Sequence, residues 1–572
     1  MRRWLALRGL WLALGSCSLL FVSVARAAEP SDAVPDSASV VLRVKAPQTT
    51  LGNLGDFVDA VQPGVGAVVR GNVAMLGLAI SNPGLAGVDI EKDWWAIVFA
   101  ESRQQRPAIV FVVPVTDANA VKNALPSGFQ FHSADKLAVY SDNEEALGKV
   151  RDRLSGKGSA LWSKIDASTK KLFEASDLSV LINLQQLTKA FESELQQAEP
   201  QLDTLLNQIS GAIPDAQRAQ LVPMLDIYRV LGKSALQGVR DSQSLTVGFT
   251  FSKDAIRVED RLQVGEGTAT AKFFAKQPTS ELSLINRLPA NKLAYFGLKA
   301  DMAGMVDWSM KMTKSILANS TDEQKAKFEA AVKDMHTLKW NEMAGYFDLD
   351  ASAAGAIRAG SISEITPANR LREISHSMLK AMSEIQSVGF KQTTTLETAI
   401  DKIDGFEVDR TTMKQEFDGT ADPLGIQKRI QLLLFGEAGM QQHMLYQPTR
   451  ALQTFGGGID EMKSLAKTLN STASKDEAVA VARKRYVEKA NLIGLIDVAR
   501  LAANGLKLAA REGAISVDAS AIDGLKLQPS FIGLSLACDA TGAGAQFEIP
   551  VAQAQGIAKV VMLIFNMRNN RN

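Results

Sequence analysis

Two stretches decide the fold: SVVLRVKA at Ser39–Ala46 and LAYFGLKA at Leu293–Ala300. Each reads as an apolar strand closing on Lys-Ala. Each runs into a segment of helical spacing, through Leu51, Leu54, Phe57 and Val58 in the first and Met302, Met305, Val306 and Met310 in the second. Apolar residues three and four apart share one face of a helix. Working outward, LSVLINLQQL at Leu178–Leu187 matches LIGLIDVARL at Leu492–Leu501. Each is a strand, then Asn183 or Asp497, then a helix that the Asn or Asp side chain can cap.

A third pair consists of hairpins. Residues 244–251 turn near Lys253-Asp254 and return through 256–262; residues 530–537 turn near Thr541-Gly542 and return through 545–549. The returning strands alternate polar and apolar residues, which predicts one buried face and one wet face. Three pairs in one order predict a tandem duplication. The expected fold is α+β: two tandem related halves, each a mainly antiparallel sheet covered by helices, with long helical insertions. The expected boundaries are a signal peptide over 1–27, a first half over 28–280 and a second over 281–572. One insertion carries apolar residues from Leu184 to Ile209 at steps of three and four, with Pro200 inside it. Residues 302–317 form a second candidate groove helix. Gly556–Met567 is apolar but too short to span a bilayer, so it reads as a docking helix, with surface membrane attachment as the alternative.

The chain opens with Arg2 and Arg3, continues as an apolar run over Leu10–Val24, and reaches Ala25-Arg26-Ala27. Small residues at −3 and −1 predict signal cleavage between Ala27 and Ala28, hence export to the periplasm or cell envelope. The whole chain has 63 basic and 62 acidic residues. Without Arg2, Arg3, Arg8 and Arg26 the mature chain is slightly acidic, so no basic excess favours nucleic acid. No transmembrane span is expected in the mature chain. Only Cys538 follows the cleavage site, so no disulfide forms within the mature chain.

No catalytic, cofactor or metal signature stands out. His132, His336, His376 and His443 form no metal-ligand spacing, and Glu373 with His376 gives a lone Glu-x-x-His. Asp348-Leu-Asp350 begins like a calcium loop, but Ala353 and Ala359 stand where the turn Gly and the bidentate Glu belong. Gly232-Lys233-Ser234 lacks the opening Gly of a phosphate loop, and Gly456-Gly457-Gly458 fits a strand-to-helix turn. Trp94 and Trp95 begin an apolar strand and are expected to be buried on opposite faces.

The order of units resembles large exported bacterial proteins of a domain-of-unknown-function type, on Ser39–Ala46, Pro107–Pro114 with the helix after it, and Pro529–Leu534. The resemblance implies an envelope protein and transfers no catalytic residue. The expected function is non-catalytic binding of a protein partner or ligand. Two alternatives follow: a carrier of lipid or another hydrophobic ligand, which requires an apolar groove, and a carboxylate-dependent hydrolase of envelope polymers, which requires two facing acids.

Overall fold

The computed structural model describes residues 29–100, 106–213, 215–304, 306–307, 321–351, 355–381, 383–387, 390–417, 425–469 and 476–569. Ala27, Ala28 and the rest of the expected signal segment lie outside them, as do Met305, Met310 and most of the expected helix 302–317. The chain divides into two compact units: the described parts of 1–47, 73–100 and 104–164, and the described parts of 48–72 and 165–572.

The first unit is built on β1 (Val40–Val44), β2 (Trp94–Phe99), β3 (Ala108–Pro114), β4 (Gln130–Ala134) and β5 (Leu137–Ser141). They pair antiparallel in the order β1–β2–β3–β5–β4. The β-branched runs suit a pleated, half-buried surface. Trp94 and Trp95 are both buried, as expected. Trp94 packs with Val113, Val121 and Tyr140, while Trp95 meets Trp162 edge to face at 5.9 Å.

The second unit holds β6 (Leu178–Ile182), β7 (Ser242–Phe251), β8 (Ala255–Val264), β9 (Ala294–Leu298), β10 (Lys339–Leu349), β11 (Ile357–Thr366) and β12 (Glu384–Ser387). It continues with β13 (Phe390–Ile403), β14 (Phe406–Phe417), β15 (Met440–Gln447), β16 (Arg450–Phe455), β17 (Leu492–Ile496), β18 (Ile532–Asp539) and β19 (Gly542–Pro550). The order is β6–β7–β8–β19–β18–β17–β9–β10–β11–β16–β15–β14–β13–β12, every pair antiparallel. The class is α+β with a large antiparallel sheet. Its main core gathers Tyr295, Tyr346, Ile362, Leu452, Ile493 and Phe531 under the helices Gly458–Thr468 and Glu477–Arg483.

Local expectations fare unevenly. Asn183 accepts from the Gln186 N–H at 3.1 Å and Asp497 from the Arg500 N–H at 3.0 Å, so both cap their helices. The helical insertion breaks at Phe191 into Leu184–Ala190 and Glu192–Ala212, and Pro200 sits inside the second piece without dividing it. Gly232-Lys233-Ser234 lies within the helix Asp215–Asp241, and Asp348 within β10, so neither forms the loop its motif needs. Gly456 has a left-handed φ of 67°, and a Cβ there would lie 2.0 Å from the Ile357 carbonyl oxygen; the turn requires glycine.

The helix Ala368–Ala381 splits the Glu-x-x-His pair: Glu373 meets Arg370, whereas His376 reaches Asp409 at 2.8 Å. Asp409 is 2% exposed. It takes two bonds from Arg372, both at 2.7 Å, and one from the Ala399 N–H at 3.0 Å. Burial alone raises the Asp409 carboxyl; these donors outweigh it and hold the group below its usual 3.8. A depressed carboxyl stabilises the fold above its unfolded pKa, and that contribution is lost as pH falls through the folded value. Asp409→Asn is therefore expected to be about 2–3 kcal/mol less stable at pH 7. In thermal melts recorded across pH, the gap from the parent should close below pH 3.8.

Candidate functional site

In an antiparallel sheet, residues directly opposite one another point to the same face. One row of such residues crosses the second unit: Leu178–Phe249–Val258–Phe547–Leu534–Gly494–Phe296. All are apolar or glycine. None belongs to the buried core; Leu534 is 40% exposed and Phe547 36%. A cavity of about 470 Å³ opens on this face across β9, β10, β11, β17, β18 and β19. Phe296, Phe347, Ile496, Ile532, Leu534 and Phe547 line it, and every other lining residue also comes from a strand.

In the second of the returning strands, β19, the alternation is reversed from the simple expectation. In β19 the polar Gln546 and Glu548 are buried and the apolar Phe547 is exposed. The inversion is possible because the buried polar groups are satisfied. Glu548 takes Arg257 at 2.8 Å and Arg485 at 2.9 Å, and Gln546 donates to the Arg485 carbonyl at 2.8 Å. With the polar set held inside, the apolar set faces out. A sheet face open to water is ordinarily polar. A contiguous apolar one marks a place for a ligand, a partner or a membrane.

One carboxylate interrupts this face. Asp260 stands opposite Ala545 and accepts its N–H at 3.1 Å. Burial pushes its carboxyl up. Comparison with known protein families, curated proteins and solved structures finds no match.

Two of the other cavities in the second unit hold charged groups. One of about 550 Å³ lies by the helix Glu477–Arg483, with Asp476, Arg485 and Tyr486 among the apolar residues around it. The other, of about 520 Å³, is lined mostly by polar groups. There Asp348 and Glu461 converge on Lys292 Nζ, at 3.6 and 2.9 Å. Glu461 also accepts from the Tyr346 hydroxyl at 2.6 Å, and Lys292 lies 4.8 Å from the Tyr346 ring centre. Burial raises the Asp348 carboxyl, and Lys292 opposes that. The cluster ties β10 to the helix Gly458–Thr468 and to the start of β9.

Among the described residues no three His, Cys, Asp or Glu side chains gather where a metal ion would sit. Cys538 is a free, half-buried thiol, and burial pushes its pKa up, which disfavours the thiolate a nucleophile needs. No described helix is long and apolar enough to cross a membrane. The expected cleavage site, Ala27 and Ala28, lies outside the described residues.

Proposed function

We propose that this chain is an exported, non-catalytic envelope protein that binds a hydrophobic ligand, of the class of a lipid acyl chain, on the apolar strand face of its second unit. The observation that carries the reading is the cavity of about 470 Å³, whose walls are strand side chains with Phe296, Phe347, Ile496 and Phe547 among them. Its size falls within the ordinary range for ligand sites, which are mainly apolar. For the carboxylate-dependent hydrolase, Asp348 and Glu461 are the acids that meet at the polar cavity. Lys292 pairs with both, and the Tyr346 hydroxyl donates to Glu461, so these acids are engaged with the protein's own groups.

The same proposal reads the chain as a tandem duplication with halves over 28–280 and 281–572. The order β1–β2–β3–β5–β4 recurs as β9–β10–β11–β16–β15, and β6–β7–β8 recurs as β17–β18–β19. The caps Asn183 and Asp497 follow the corresponding strands β6 and β17. On this reading β8 and β19 are equivalent strands, and their pairing continues the apolar row from one half into the other.

The test is native mass spectrometry of the mature protein from its own envelope fraction, followed by titration of delipidated protein with a fluorescent fatty acid. The expected outcome is a polypeptide beginning at Ala28, an extra lipid mass lost on delipidation, and saturable probe binding. A bare polypeptide mass together with no probe binding would reject the ligand reading.

A further inference from the structure

The helix Val551–Asn569 is held at its start and unsupported near its end. Gln553 is fully buried and donates to the Ser530 carbonyl at 2.6 Å, and Gly556 lies against Ala499. Val560 is the last buried residue. Beyond it Val561, Met562, Ile564 and Phe565 are all exposed, Phe565 by 62%. Between Val560 and Met567 only Asn566 is polar. At about 100° per residue the exposed Val561, Met562, Ile564 and Phe565 share one arc of about 160°, with the half-buried Leu563 on the opposite side.

That distribution selects the occupant. A helix that lies in a membrane interface buries one broad apolar face at the boundary between headgroups and acyl chains. Charge agrees: Val551–Asn569 has no acidic residue, Lys559 precedes the apolar turns, and Arg568 and Arg571 follow them. Cations on both sides of an apolar segment match an anionic headgroup layer. The segment Val561–Met567 rises about 10 Å at 1.5 Å per residue, less than half of a hydrocarbon core about 30 Å thick.

We infer that the turns from Val561 to Met567 insert into one leaflet of an anionic membrane and hold the protein at its surface. This goes beyond ligand binding, which uses a different face. The first half of the helix docks as the sequence suggests, and the second half serves the lipid.

The test is flotation of the mature protein with phosphatidylglycerol–phosphatidylethanolamine vesicles and with phosphatidylcholine vesicles. The full chain should float with the anionic vesicles. The double variant Ile564→Gln/Phe565→Gln should float at least tenfold less while keeping its melting temperature, since both side chains are exposed. Probe binding to the strand face should be unchanged in that variant, which separates this inference from the ligand reading. Three results would overturn it: no flotation of the parent, equal flotation of the variant, or a parent dimer in solution that the variant abolishes without any vesicle binding. The last would assign the helix end to a second copy.

Discussion

Replacing Arg257 and Arg485 together by alanine is expected to lower the unfolding free energy by about 3–5 kcal/mol. Glu548 is 1% exposed, and these two guanidiniums satisfy it. Arg257 gives it Nε at 3.0 Å and Nη2 at 2.8 Å, and Arg485 gives Nη1 at 2.9 Å. Without them a carboxylate stays buried with no cation, the costly way to break such a group. Either single variant should cost less, because one cation remains. Glu548→Gln should also cost less, because its amide carries no charge and both arginines are about one-third exposed. The triple variant with Glu548→Leu should recover much of the loss, since an apolar replacement removes the stranded charge. Urea midpoints give the ranking. A double arginine variant as stable as the parent would show that Glu548 does not need its cations. The register pairs Arg257 with Glu548, so this contact also secures β8 against β19.

Much of this fold was legible because its strands are short, apolar and bounded by polar caps. SVVLRVKA, LAYFGLKA and LIGLIDVARL each became a strand where expected, and Asn183 and Asp497 became caps because the position leaves helix N–H groups needing an acceptor. The site was less legible. In the returning strand Ala545–Ile549 the sequence presents Gln546, Phe547 and Glu548, and the usual rule sends Phe547 inward. The structure does the reverse, because Arg485 and Arg257 come from distant parts of the chain and make the inside polar there. No local pattern reveals a partner 291 residues away. One signal was present: β17 and β6 are apolar at nearly every position, the pattern of a strand with no wet face. Read strictly, it says that both faces of β17 seek apolar company.

Filling the cavity from Gly494 is expected to reduce probe binding at least tenfold without loss of stability. Gly494 sits in the middle of β17, between Leu534 on one side and Phe296 on the other. A Cβ added there meets nothing within 4 Å. The comparison with Gly345, the next residue along the row, is instructive: a Cβ there would lie 2.4 Å from the Phe296 ring, so the space over that glycine is already taken. The space over Gly494 is not. Tryptophan suits a strand and loses less backbone entropy than glycine on folding, so Gly494→Trp should melt at or above the parent temperature. Its indole would occupy the volume that a ligand needs. Gly494→Ala should change binding little, because a methyl group leaves most of that volume. Gly533→Ala serves as the opposite control. It lies in β18 on the other side of the sheet, and its Cβ would meet the Tyr486 hydroxyl at 2.1 Å, so it should destabilise the fold while leaving the apolar face intact. Fluorescent fatty-acid titrations beside thermal melts separate the two effects. A Gly494→Trp protein that folds and binds the probe as tightly as the parent would place the ligand elsewhere. If binding is lost with the melt unchanged, the vacancy over Gly494 is the site itself.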